Sequence, residues 1–296
     1  MRRAPFPFVF WSSSSGRKTG VKIKKEVITS RANPLVLSVA ALSKKRERDE
    51  RGEFVCDGKK LVFEYIKHCG APRHLFVCEK NQDVLIEQIS ELEKLFGEEL
   101  EVTLAGESAF LKMTEQKAPD GIICVGERSR LRYERSNCFS GESAKDERII
   151  MLASLQDSGN VGTVLRTALA LGYDRVILSS DCADVLSAKT LRASMGAAFS
   201  MGVSVVDDLV LTTELLIGMG RRVFAAELRK NAVALDDIDV RDDDVFVIGN
   251  EGHGIDTRLS AMCNKSVYIP ISENSESLNA AIAASIFMWH QCGSVK

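Results

Sequence analysis

Val267-Tyr-Ile-Pro-Ile-Ser-Glu-Asn-Ser-Glu-Ser-Leu-Asn-Ala-Ala-Ile-Ala-Ala-Ser-Ile-Phe-Met-Trp289 is the stretch on which the fold turns. Ser266 to Ile271 reads as a β-strand, with β-branched residues along it and Pro270 ending the ladder. Ser272 to Glu276 is a polar loop. Ser277 then stands where a helix N-cap belongs, ahead of an apolar, alanine-rich run to about Gln291. Alanines at 280, 281, 283 and 284 give high helix propensity with little side-chain bulk, so this helix can press its backbone close to another element. Ser277 and Asn279 place two polar groups at a helix N-terminus, where free backbone N–H groups favour an anionic or polar ligand. An ordinary capped core helix accounts for the same residues equally well.

Two further stretches separate these readings. One runs from Leu155 to Leu171 (Leu-Gln-Asp-Ser-Gly-Asn-Val-Gly-Thr-Val-Leu-Arg-Thr-Ala-Leu-Ala-Leu), the other from Val245 to Ile255 (Val-Phe-Val-Ile-Gly-Asn-Glu-Gly-His-Gly-Ile). In the first, Asn160 reads as the cap of a helix to about Leu171. Arg166 lies within its apolar run of Val161, Val164, Leu165, Leu169 and Leu171, where a guanidinium wants an anionic partner. In the second, Gly249-Asn250-Glu251-Gly252-His253-Gly254 follows a strand. In parallel α/β sheets that is where ligands bind, and three glycines in six residues let a backbone approach a flat ligand closely. Gly-rich turns are common, so this loop alone is a weak signal; Glu251 also reads as a residue that satisfies loop N–H groups, and His253 as an unremarked loop residue.

Taken with Val267–Trp289, the two stretches resemble, in the right order, the three sequence motifs of the SpoU (TrmH) branch of the SPOUT RNA methyltransferases. The resemblance covers the C-terminal half. It implies S-adenosylmethionine (AdoMet) as methyl donor, no metal, and transfer to a ribose 2′-hydroxyl. It also implies a C-terminal SPOUT domain whose last segment passes through a trefoil knot, and a homodimer formed through that domain. Residue by residue, Gly249, Asn250, Glu251, Gly252, Gly254, Ile269, Leu278 and Asn279 match the AdoMet cradle. Asn160, Arg166, Glu251, Ser277 and Asn279 match the catalytic positions. Ser277 is expected to hold the substrate phosphate, and Asn279 to order the site. Arg166 matches the residue tied to activation of the 2′-hydroxyl. It could serve there as base or as stabiliser of the developing alkoxide; because arginine stays protonated, stabilisation is the better physical statement. Methyl transfer of this kind rests on positioning and electrostatics.

The rest of the chain alternates. After Asn33 and Pro34, an N-cap and a proline at N1, a helix is expected to about Arg48. Strands at Glu53–Cys56, Leu75–Cys78, Leu100–Leu104 and Gly121–Val125 follow, with helices at Gly58–Cys69, Asp83–Phe96 and Glu107–Met113 between them. This small α/β unit, residues 26–127, resembles the N-terminal substrate-binding domain of SpoU enzymes through Ile28-Thr29-Ser30-Arg31-Ala32-Asn33-Pro34 and Gly52-Glu53-Phe54-Val55-Cys56-Asp57-Gly58. Arg31, Lys44, Lys45, Arg46 and Arg51 are its candidate phosphate contacts, although a solvated charged face reads the same and Glu47, Asp49 and Glu50 dilute the cluster. Residues 128–147 are charged and aperiodic, a linker. From 148 to 296, strands at Ile149–Leu155, Arg175–Ser180, Val203, Val223–Ala226 and Val245–Ile248 alternate with helices at Asn160–Leu171, Ser187–Arg192 and Leu209–Met219, and Ala193-Ser194-Met195-Gly196-Ala197 is a further small-residue patch that looks like the family's. That alternation predicts a parallel sheet covered on both faces.

Charge and cysteine content limit what the chain can be. The net charge of −2 hides an asymmetry: residues 1–73 carry 17 Lys/Arg against 7 Asp/Glu, and the remainder 22 against 34. RNA contact must therefore rest on a local basic surface near the N-terminus. Eight cysteines without a Cys-x-x-Cys pair argue against a zinc site or a disulfide scaffold and for free thiols in a reducing compartment, the cytoplasm. Residues 1–25 are basic, Ser-containing and free of acids. They read as a leader outside the fold, or as a mitochondrial presequence. No Gly-x-Gly-x-x-Gly follows the strand at 149–155, which excludes a dinucleotide oxidoreductase. An RNA 2′-O-methyltransferase acting on ribosomal RNA is the expected function. A transfer-RNA enzyme and a non-catalytic RNA-binding or ribosome-assembly factor on the same scaffold are the alternatives.

Overall fold

The computed structural model describes residues 21–97, 99–139, 146–272, 274 and 277–294. The N-terminal part holds β1 (Lys22–Ile23), α1 (Pro34–Ala41), α2 (Lys45–Arg51), β2 (Glu53–Asp57), α3 (Lys59–Cys69), β3 (His74–Cys78), α4 (Gln82–Phe96), β4 (Glu101–Ala105), α5 (Glu107–Met113) and β5 (Ile122–Glu127). Its five strands lie in the order β1-β4-β3-β5-β2. β1, β4 and β3 are mutually parallel, and β5 runs antiparallel to both β3 and β2.

Asn33 caps α1 through its side chain, and Pro34 opens it, as the sequence predicts. The single helix expected to Arg48 is instead two, broken at 42–44. Lys44 is extended, and the Arg48 guanidinium turns back to donate to the carbonyls of Leu42 and Ser43 at 2.7 and 2.8 Å. Those carbonyls are the ones the break leaves without helical partners. Residues 21–25, read as outside the fold, supply the edge strand β1 beside Glu101 and Val102; residues 1–20 lie outside the described residues.

The C-terminal part holds β6 (Tyr133–Ser136), β7 (Ile149–Leu152), α6 (Ser158–Ala170), β8 (Arg175–Ser179), α7 (Ala188–Ser194), β9 (Gly202–Val206), α8 (Leu209–Gly218), β10 (Val223–Ala226), β11 (Val233–Ala234), β12 (Val245–Ile248), α9 (Thr257–Met262), β13 (Lys265–Tyr268) and α10 (Ala280–Ser294). The eight strands form one parallel sheet, β11-β13-β10-β12-β7-β8-β9-β6. The expected linker contributes an edge of this sheet: β6 pairs with β9 from Tyr133↔Val203 to Ser136↔Val206. Alternate residues of each central strand feed two cores. Ile150, Leu152, Phe246 and Ile248 face the side of α6 and α10, and Ile149, Met151, Val245 and Val247 the side of α8 and α9.

The first of these cores is continuous with that of the N-terminal sheet. Phe199 packs between Phe54 and Tyr65, with ring centroids 6.1 and 5.6 Å apart. Beside it a buried Arg48 grips Asp184 through two nitrogens at 3.0 and 2.5 Å. Gly196, at φ +90°, lies against Glu64 so closely that a Cβ there would come within 2.8 Å of the Glu64 Cβ.

Candidate active site

The C-terminal ends of β10, β12 and β13 and the start of α10 enclose a cavity of about 440 Å³, within the range of small-molecule sites. It lies outside the carboxyl ends of parallel strands, where this architecture places ligands. Of the residues expected in a cofactor cradle, Gly249, Asn250, Glu251, Gly254, Ile269 and Leu278 line it. Gly252 and Asn279 do not; both serve the loops around it.

The glycines are needed for the loop's own geometry. Residues 250 and 254 pair through two backbone bonds of 3.0 and 2.9 Å, closing a tight turn. A Cβ on Gly249 would lie 2.6 Å from the Gly254 carbonyl carbon, and Gly254 itself sits at φ +68°. Asn250 locks the turn. Its side-chain oxygen accepts from the N–H groups of Gly252 and His253, and its amide donates to the Ser154 carbonyl at 2.7 Å. Ser154 stands at φ +57°, an uncommon conformation for a side-chain-bearing residue. Its N–H is taken by the Ser179 hydroxyl at 2.8 Å.

Two helix starts differ from the sequence reading. Asp157, not Asn160, caps α6, accepting from the Asn160 N–H at 2.9 Å. That bond holds the Asp157 carboxyl below its ordinary range. Asn279, not Ser277, caps α10, its side-chain oxygen accepting from the N–H groups of Ala281 and Ile282 at 3.0 and 3.2 Å. The strand before it also ends at Tyr268, two residues short of Pro270. These shifts leave the Asn160 amide free of capping duty. Its nitrogen donates to Glu251 at 2.5 Å, and its oxygen accepts from the Asn279 amide at 3.1 Å. One residue from each of the three stretches is thus joined in the line Glu251–Asn160–Asn279.

Arg166 is not part of that line. Val161, Val164 and Leu165 turn into the core while Arg166 is exposed, so the apolar run around it is the opposite face of an amphipathic helix. Six residues along an α-helix correspond to a rotation of about 120° and a rise of about 9 Å from Asn160. Ser277 is exposed at the cavity mouth. Among the basic candidates, Arg31, Lys44, Lys45 and Arg46 are exposed, with Arg46 paired to Glu50 at 2.7 Å. Arg51 is turned inward, donating to the Ser38 carbonyl and pairing with Glu53. Sequence reasoning missed Asp157, Ser154 and the cavity residue Glu227. Asp157 had a readable signal, an Asp ahead of an apolar-periodic run; the other two depend on contacts between distant strands.

The chain matches the model of the SpoU rRNA Methylase family over residues 147–289, and that of an MRM3-like substrate binding domain over residues 33–124. It is 30% identical over 268 residues to RlmP of Bacillus subtilis, a 23S rRNA (guanosine(2553)-2′-O)-methyltransferase, covering 90% of this chain and 99% of that one. The chain belongs to the SpoU family. An AdoMet-bound rRNA methyltransferase from Sinorhizobium meliloti superposes with a TM-score of 0.72 at 25% identity, over 91% of this chain and 97% of that one. The AviRb methyltransferase of Streptomyces viridochromogenes, also with AdoMet, shares the fold with a TM-score of 0.74 at 22% identity, over 88% of this chain and 97% of that one.

This SpoU chain is an AdoMet-dependent RNA 2′-O-methyltransferase, and its cavity fits that cofactor. Val267, Ile269, Leu278 and Phe287 give an apolar wall suited to a flat base, and the carboxylates of Glu227 and Glu251 give acceptors for hydroxyl and cationic groups.

Proposed function

We propose that this protein methylates a ribose 2′-hydroxyl of ribosomal RNA, with residues 26–127 as the RNA-binding unit and 148–296 as the methyltransferase unit. The observation that carries this reading is the hydrogen-bonded line Glu251–Asn160–Asn279 at the rim of the cofactor cavity. RlmP, whose name gives 23S rRNA as its substrate, matches along its whole length, including the N-terminal part. Bound AdoMet supplies an electrophilic methyl on a sulfonium. The protein's residues do the rest by position: Asn160 fixes the Glu251 carboxylate, and the cap formed by Asn279 fixes the start of α10 against α6. In this reading Ser277, exposed at the mouth, holds a substrate phosphate.

Arg31, Lys44, Lys45 and Arg46 are the RNA contacts of this reading. Lys45 shares a small crevice with Ser179, Ser180 and Asp184 at the C-terminal end of β8, the same carboxyl end of the sheet as the cofactor cavity. Phosphates held there would lead a strand of RNA toward the site.

The exposed Arg166 completes the site through a second copy of the chain. Ile282 and Trp289, 50% and 69% exposed, lie seven residues apart on one face of α10. Leu169, 41% exposed, follows Arg166 by three on α6, which packs against α10. A homodimer through these two helices covers that apolar face and brings an arginine toward the partner's cavity. All eight cysteines are free, which suits the reducing cytoplasm.

The deciding experiment is transfer of radiolabelled methyl from AdoMet to purified rRNA and tRNA, followed by digestion and nucleoside mass analysis. A 2′-O-methylated nucleoside from rRNA is the expected product. Methylation of tRNA alone would reassign the substrate. RNA binding with no AdoMet binding would return the chain to the assembly-factor reading.

A further inference from the structure

Glu227 follows β10 directly, lines the cofactor cavity, and belongs to none of the three motif stretches. Its side chain is only 12% exposed. Three groups converge on it from different elements: the Ser260 hydroxyl of α9, the Ser266 hydroxyl of β13 at 2.8 Å, and the Arg229 Nε at 2.9 Å. All three meet Oε1. No described residue donates a hydrogen bond to Oε2. The backbone is held too, since the Glu227 N–H donates to the Val267 carbonyl at 2.9 Å. A carboxylate has about four acceptor positions. With Oε1 taken by three groups, Oε2 is the oxygen left to accept from whatever occupies the cavity that Glu227 lines.

We propose that Glu227 reads the ribose hydroxyls of the AdoMet adenosyl group through Oε2. The inference rests on the AdoMet reading of the cavity and deepens it. Two observations select the hydroxyls among the donors AdoMet carries. The Arg229 guanidinium compensates the charge of Glu227, so the site offers a strong acceptor rather than net negative charge. That favours neutral hydroxyls over the methionyl ammonium. Glu227 also stands next to the apolar wall of Val267, Ile269 and Leu278, the part of the cavity suited to the base, and the ribose is the group joined to the base. β10 lies between β12 and β13, away from α6, so Glu227 is on the far side of the Gly249 loop from Asn160. An acid at the carboxyl end of a strand reads a ribose in the same manner in dinucleotide folds.

The test is calorimetric and needs no turnover: titration of the full chain with S-adenosylhomocysteine and with its 2′,3′-dideoxy analogue. Loss of hydrogen bonds to a charged acceptor should weaken the analogue by about tenfold or more in the unsubstituted protein. Glu227→Gln keeps the shape. Its amide oxygen must face the three donors, which leaves an NH₂ where Oε2 stood. Glu227→Gln and Glu227→Ala should both bind S-adenosylhomocysteine about tenfold more weakly and no longer distinguish it from the analogue. Equal binding of the two ligands by the unsubstituted protein overturns the proposal, whether or not the variants fold. Discrimination that persists in a folded Glu227→Ala overturns it as well. Failure of the unsubstituted protein to bind S-adenosylhomocysteine at all overturns the AdoMet reading of the cavity itself, and this inference with it.

Discussion

Asn160 connects parts of the chain that are 91 and 119 residues apart, through one amide. An amide can do this because it donates and accepts at once; neither Asp nor Ala can. Asn160→Ala is expected to lower kcat by about a hundredfold, as loss of one preorganising donor does, with AdoMet affinity changed little, because Asn160 does not line the cavity. Single-turnover methyl transfer beside calorimetry separates the two; a loss confined to AdoMet binding would show that Asn160 serves the cofactor instead. Arg166→Ala should abolish transfer and leave AdoMet affinity intact, since the side chain is exposed and outside the cavity. Mixing Arg166→Ala with a Glu251→Ala chain tests the dimer reading: partial recovery of activity is expected if each site borrows its arginine from the partner, and none if each chain works alone. These residues were legible in sequence because each sits in a short pattern of distinctive neighbours. What their side chains touch was not, because Asn160 reads alone as a cap and only the neighbouring Asp157 relieves it of that duty.

Helix starts decide which polar side chains of the site are committed and which are free. Asp157 carries the cap of α6 and also meets Lys189 at 3.3 Å. Asp157→Ala should cost about 1 kcal/mol of stability, read as a lower midpoint in urea. The Asp157 carboxyl titrates below its ordinary value, so its contribution is fully present above the unfolded value of 3.8 and is lost as pH falls through the depressed native one. The stability difference between Asp157→Ala and the parent should therefore shrink below pH 4; a gap that stays constant down to pH 2 would contradict the cap. Gly162 sets the distance between α6 and α7. A Cβ there would lie 2.4 Å from the Ala193 Cβ and 2.7 Å from the Thr190 carbonyl. Gly162→Val should destabilise by about 1–3 kcal/mol through overpacking and, by moving α6, reduce transfer as well. The strands and longer helices were legible because buried runs and 3.6-residue periods are local. The break at 42–44, the short α9 and the edge strands β1 and β6 were not: a six-residue helix carries less than two turns of period, and an edge strand need not be apolar.

At the scale of the molecule, the two sheets are held as one body by a shared core and a buried ion pair, and this was the least legible feature in the sequence. Arg48 lies in a run of charges, Lys44 to Arg51, that reads as a solvated or RNA-facing surface. In the fold its side chain is 7% exposed, and its guanidinium is filled by two carbonyls and Asp184. Sequence pattern cannot distinguish it from Lys45 or Arg46, because what buries it comes from 136 residues away. The consequence concerns substrate delivery. If the N-terminal unit is fixed by Arg48–Asp184 and by Phe199 between Phe54 and Tyr65, RNA held by that unit meets the cofactor cavity at a set distance. Arg48→Ala leaves Asp184 without its partner and breaks a buried pair, which should cost about 3–5 kcal/mol. Asp184→Asn, which retains an acceptor for the guanidinium, should cost less. In the milder variant AdoMet affinity should hold while kcat/KM for RNA falls, because neither Arg48 nor Asp184 lines the cofactor cavity and Asp184 lines the Lys45 crevice proposed to lead RNA to the site. Deleting 26–127 should not yield a well-behaved catalytic half, since it uncovers Phe199 and Leu186 together. A soluble, monodisperse fragment 128–296 with native AdoMet affinity would show that the interface is a loose contact and that the N-terminal unit delivers RNA as a tethered module.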